Sequence, residues 1–199
     1  MIESNIEESR LAAAKISLES VLSPGLWHPA LSPEVSPRQI GDELWSSGFG
    51  MDQLDDRPLY WQRLILSQCL RELGAEPSDL MEFELASRGM LGNQFSGDAT
   101  YRVLVTGFDP FDLDDDIEQG NPSGVVALQH QQQQIVLGAG RVEIRSMIFP
   151  VRYKDFDEFL VERVLETFRD KVDMVITVSM GRTGFDLERF PGMRRSASK

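Results

Sequence analysis

The spacing of apolar positions changes near residue 100, and the change predicts two kinds of structure in one chain. Before it, the spacing is helical. Ser4 with Glu7 forms a capping box ahead of Ile6, Ala13, Ile16 and Leu22, and Ser23-Pro24-Gly25 stops that helix. Ser36-Pro37 with Gln39 repeats the start signal before Ile40, Leu44 and Trp45, and Ser46 to Gly50 ends the run. A third helix follows Asp56 and Pro58 through Leu59, Trp61, Leu64, Ile65, Leu66, Cys69, Leu70 and Leu73, closed by Gly74. Ser78-Asp79 opens a fourth through Leu80, Phe83 and Leu85. This density of helices predicts a small bundle, or an arm wrapped on the second half of the chain.

After residue 100 the period alternates. Strand-like runs at 101–106, Val142–Val151 and Val172–Val178 are separated by a helix over Pro122–Gln134 and an amphipathic one through Phe156, Phe159, Leu160, Val164, Leu165 and Phe168. The order β-α-β-α-β predicts right-handed crossovers and a mostly parallel sheet between helices. The fold class is therefore α/β: a three-layer α/β/α domain over 99–199, short of strands at its C-terminus, behind an all-helical N-terminal extension over 1–98. Gly, Asn, Ser and Asp cluster at Gly92–Thr100, where the boundary is placed. The Gln131–Gln134 run reads as the solvated end of a helix.

Charge sharpens the division. Residues 1–100 carry 16 acidic and 7 basic side chains and residues 101–199 carry 16 and 13, within a total of −12. That balance argues against nucleic acid or an anionic membrane as partner. No apolar run approaches the roughly 20 residues of a membrane helix, and the acidic N-terminus lacks the pattern of a signal peptide. One cysteine makes no internal disulfide, which points to the cytoplasm. Cys69, His28 and His130 have no zinc spacing, and no metal or cofactor is expected. Cys69, between Leu66 and Leu70, reads as a structural thiol, and Trp27-His28-Pro29 as a packed turn. The five acids of Asp112–Glu118 lack the EF-hand pattern, and Gly181-Arg182-Thr183-Gly184 is too short for a phosphate loop.

The chemistry-bearing stretch is Tyr101–Gly124. Val103, Leu104 and Val105 run into Thr106-Gly107, then Phe108, Asp109, Pro110 and Phe111 form a corner, and Asn121-Pro122-Ser123 opens a helix. A strand–loop–helix unit puts its loop at the carboxyl edge of the sheet, where α/β proteins build sites. On composition alone, the two phenylalanines read first as a plug sealing that edge. Yet Thr106–Phe111 with Asn121-Pro122-Ser123 resembles the GFDPF and NPS signature of the pyroglutamyl peptidase I (pyrrolidone-carboxylate peptidase) family. Asp173–Val178, Gly181-Arg182-Thr183 and Leu187-Glu188-Arg189 resemble that family's strand, glycine turn and LER segment. Ser179-Met180 and Phe190-Pro191-Gly192 depart from its pattern.

That resemblance implies a cysteine peptidase removing N-terminal pyroglutamate from peptides. Glu188 would orient a histidine base, Phe108 and Phe111 would sandwich the lactam ring, and Asn121 would give a polar contact. The expected nucleophile and base match no position of this chain, which stops 11 residues after Glu188. The chain therefore reads as a fragment, or as a nicked half with a bound C-terminal fragment, inactive alone and self-associating. The alternative is a catalytically inactive relative acting as a binding or interaction protein.

Overall fold

The computed structural model describes residues 9–11, 35–49, 54–138, 140–181, 184 and 186–189. The helix expected after Ser4 lies largely outside these, as do the Trp27-His28-Pro29 turn and the final basic segment. Residues 9–11 are helical, and three helices follow among the described residues: α1 (Pro37–Gly48), α2 (Arg57–Glu72) and α3 (Pro77–Ala86). The start of α1 is a reciprocal cap. The Ser36 Oγ accepts from the Gln39 N–H at 3.3 Å, and the Gln39 Oε1 accepts from the Ser36 N–H at 2.9 Å. α2 is apolar around most of its circumference and lies between two sets of neighbours. Leu59, Leu66 and Leu70 meet Ile40, Leu44 and Phe83, while Tyr60, Trp61, Leu64 and Ile65 meet Leu11 and Leu113.

β1 (Tyr101–Phe108), α4 (Pro122–His130), β2 (Gln134–Leu137), β3 (Gly140–Phe149), α5 (Tyr153–Asp157), α6 (Leu160–Glu166) and β4 (Met174–Thr177) complete the order. The fold is α/β, with a mixed four-stranded sheet ordered β2-β3-β1-β4. β1 pairs in parallel with β3 and β4, and β2 with β3 antiparallel. Side chains alternate across the sheet as the pleat requires. Leu104, Met147 and Phe149 pack under α6 with Leu160, Val164 and Phe168. Ile148 faces the other way, sharing a core with Ala127 and Leu128 of α4 and with Ile40, Leu44 and Leu66. The helical segment is thus packed against the sheet's α4 side.

Three sequence expectations change. The helix expected over Pro122–Gln134 stops at His130, because Gln131 turns inward: its Oε1 accepts from the Ser146 N–H at 2.6 Å. The glutamine run therefore lies beyond the helix: Gln132, Gln133 and Gln134 are exposed, and the run leads into β2, which makes a hairpin with β3. The amphipathic helix is broken in two by Phe159, which has φ 59°.

Candidate functional site

The corner at the carboxyl ends of β1 and β3 is built from close backbone approach. A Cβ on Gly107 would sit 2.2 Å from the Ser123 carbonyl oxygen, so only glycine lets the first turn of α4 lie against β1 there. Asn121 caps α4, its Oδ1 accepting from the Ser123 N–H at 3.0 Å and from the Ser123 hydroxyl at 2.8 Å. Its Nδ2 donates to the Asp109 carbonyl at 2.9 Å, and the Phe108 N–H donates to the Ser123 Oγ at 3.1 Å. Asn121 is buried, with its side-chain oxygen and nitrogen both bonded within the turn.

Asp109 is the buried acid of this corner, and two arginines of the helical segment reach it. The Arg63 Nη1 donates to one carboxylate oxygen at 2.9 Å, and the Arg88 Nη1 donates to the other. The Arg63 and Arg88 side chains are 0% and 2% exposed. Arg63 also donates to the Ser87 Oγ at 3.1 Å and the Ser87 carbonyl at 3.2 Å. The network runs on: the Glu84 Oε1 accepts from Arg88 and from Arg152, each at 2.8 Å, and Arg152 pairs with Asp155 at 2.6 Å. Burial alone would push the Glu84 carboxyl up, but Arg88, Arg152 and Arg63 together outweigh it and hold it well below the usual carboxylate range.

A second acid of the helical segment plugs the start of α4. Asp56, 2% exposed, precedes α2 yet makes no cap bond to it. Its carboxylate accepts instead from the Asn121 N–H, at 3.0 and 3.2 Å. Gly124 makes room, since a Cβ there would lie 2.5 Å from the Asp56 Oδ2. Burial pushes the Asp56 carboxyl up to about 7; the Asn121 N–H offsets part of this, and the charges of Asp109 and Asp55 add to it.

The residues singled out in the sequence lie apart in role. The Phe108 ring is half-buried, 6.3 Å from the rings of both Phe149 and Phe156, within the α6-side core. Phe111 is half-buried, its carbonyl accepting from Gln119 at 3.2 Å. No ring contact joins the two phenylalanines among the described residues. Glu188 is exposed. Cys69 is half-buried on α2, and burial, with help from Glu72, pushes its thiol up rather than activating it. The sequence pattern marks Asp56 only as the start of α2 and does not single out Arg63, Glu84, Arg88 or Arg152. Arg63 alone left a signal, a lone charge between Leu59 and Leu64 on an apolar helix.

Residues 102–198 match the family described as PA0049, C-terminal domain. The uncharacterized protein PA0049 of Pseudomonas aeruginosa is 32% identical over 170 residues, covering 72% of this chain and 31% of its own length. The chain thus spans about a third of that curated relative. No solved structure matches. These similarities overturn the resemblance to pyroglutamyl peptidase I, to which nothing in the comparisons points. The physical reason lies in what the shared residues do locally. Gly107, Asn121, Pro122 and Ser123 encode a tight strand-to-helix turn with its cap, a geometry that carries no particular chemistry.

Proposed function

We propose that this chain is an interaction module rather than a catalyst, and that its carboxyl-edge corner is a latch holding the helical segment on the sheet. The observation that carries this reading is the Asp109 carboxylate, held by Arg63 and Arg88 with both guanidinium groups buried. Both oxygens of that carboxylate are engaged by guanidinium groups, and buried arginines are unavailable to an incoming anion. Asp56 closes the adjacent helix N-terminus, a place where an outside anion would otherwise dock. The thiol of Cys69, raised rather than lowered, is no activated nucleophile.

The reading includes a cytoplasmic site of action, supported by a single cysteine among 199 residues. Among the described residues no helix is long and apolar enough to cross a membrane. Partners other than nucleic acid are favoured by the charge of −12.

The test is a panel of chromogenic amides, esters and phosphate esters incubated with the purified chain. No release above buffer is expected. Turnover that scales with protein and disappears in Cys69→Ser or Glu188→Gln would overturn the reading.

A further inference from the structure

A cavity of about 470 Å³ opens on the α6 side of the sheet, between the 90–97 connection and the turn from α6 to β4. Met90, Phe95 and Phe168, which pack in the core on that side, give it apolar walls. Its charged lining residues are Arg102, Lys171 and Asp170. Arg102 comes from β1, an inner strand with a neighbour on each side. Its N–H donates to the Asp173 carboxylate at 2.7 Å, and its carbonyl accepts from the Asp173 N–H at 2.8 Å. The Arg102 guanidinium is half-buried and has no acceptor among the described residues. Every other buried or half-buried arginine among them has one, from Arg10 on Asp114 to Arg152 on Asp155. The acid opposite Arg102 in the β1–β3 register is Glu143, fully buried and engaged with the Ser96 N–H at 2.8 Å and with Arg145. Lys171 is exposed and has no ion-pair partner among the described residues. A guanidinium drawn partly out of water is costly without a counter-charge, so the cavity calls for an anion.

We propose that this cavity binds a small carboxylate with a compact apolar body, its charged end on Arg102 and Lys171 and its body against Phe95 and Phe168. The volume falls within the roughly 300–1,000 Å³ of small-ligand sites. A guanidinium presents paired N–H donors that match the two oxygens of a carboxylate. Two cations set against Asp170 leave one net positive charge, which a monoanion balances. A dianion such as a phosphate monoester would bring surplus negative charge to a chain already at −12. The cavity is separate from the Asp109 latch, and its ligand goes beyond the interaction-module reading without depending on it.

The probes are phenylacetate, its neutral amide phenylacetamide, and phenyl phosphate, each titrated into the full chain and followed by amide-resolved NMR. Phenylacetate should shift the Gly92, Gly97 and Lys171 amides saturably and leave that of Ser123, in the latch corner, in place. Phenylacetamide should bind at least about tenfold more weakly, and phenyl phosphate no tighter than phenylacetate. Arg102→Gln keeps the length of the stem and should weaken phenylacetate about tenfold or more. Lys171→Gln, an exposed change, should weaken it about threefold. The proposal is overturned if the parent shows no saturable shifts, if the amide binds as well as the acid, or if phenyl phosphate binds tighter. It is equally overturned if Arg102→Gln, folded by circular dichroism, binds phenylacetate like the parent. Should Arg102→Gln fail to fold, Lys171→Gln decides, and unchanged phenylacetate binding in that variant overturns the proposal. Turnover in the hydrolysis panel bears on the interaction-module reading alone.

Discussion

Replacing Asp56 with asparagine removes a buried carboxylate while preserving its shape and its acceptor for the Asn121 N–H. The consequence is a change in how stability depends on pH. The Asp56 carboxyl titrates near 7 in the folded protein, against an ordinary value near 3.8. Its pKa is raised on folding, so between these values the native state holds a proton that the unfolded chain has released. Stability is fully present below about pH 4, falls as pH rises, and levels off above about 7. Each pH unit in that window costs about 1.4 kcal/mol, so the parent loses ~4 kcal/mol across it. That is a large part of the 5–15 kcal/mol typical of a folded domain. The asparagine variant would carry no such cost at any pH. Glu84, whose pKa is depressed, gives the opposite dependence, with stability lost as pH falls below its usual range, but it is present in both proteins and cancels in their difference. Urea unfolding followed by circular dichroism at pH 4, 5.5, 7 and 8 measures the difference directly. Asp56→Asn should match the parent within about 1 kcal/mol at pH 4 and exceed it by ~4 kcal/mol at pH 8. Parallel profiles for the two proteins would refute the argument and mean that Asp56 is ionised in its site at ordinary cost.

Arg63→Met leaves Asp109 with one cation in place of two and should cost about 3–5 kcal/mol, read as a lower urea midpoint at unchanged slope. Gly107→Ala forces a methyl against the Ser123 carbonyl, which is backbone and cannot swing away; a loss of about 2 kcal/mol or more is expected in the same assay. Phe108→Ala opens the ring cluster with Phe149 and Phe156 and should lower stability by about 3–5 kcal/mol, whereas Glu188→Gln, at an exposed position, should stay within about 0.5 kcal/mol.

The parts of this fold legible in the sequence are those set by local rules. Val103–Val105 ending in Thr106-Gly107 specified β1, Ser36-Pro37 with Gln39 specified the start of α1, and Asn121-Pro122 the start of α4. β2 escaped notice because its three apolar residues follow a glutamine run, and its pairing depends on a distant strand. The break at Phe159 was equally hidden, since apolar spacing continues straight through it. The candidate site was misread for a related reason. Which charges meet Asp109 is decided by how α2 and the end of α3 dock, 46 and 21 residues away, and no local pattern records that docking. A short motif states how a turn is made; the side chains that surround it state what the turn can do.

The hydrogen bond from the Ile148 N–H to the Arg88 carbonyl, at 3.0 Å, ties β3 to the chain just beyond α3. Ile148 is in the sheet and its acceptor is in the helical segment, so this amide reports on both at once. Were the helical segment to detach while the sheet persisted, Ile148 would trade its proton with solvent at the rate of that partial opening. With Arg88 pinned to Asp109, partial detachment strands a buried ion, and the opening that frees Ile148 has to carry the rest of the structure with it. Its exchange with deuterium should therefore track global unfolding and stay in step with Leu104 at the centre of the sheet, making the helices and strands a single cooperative unit in time as well as in space.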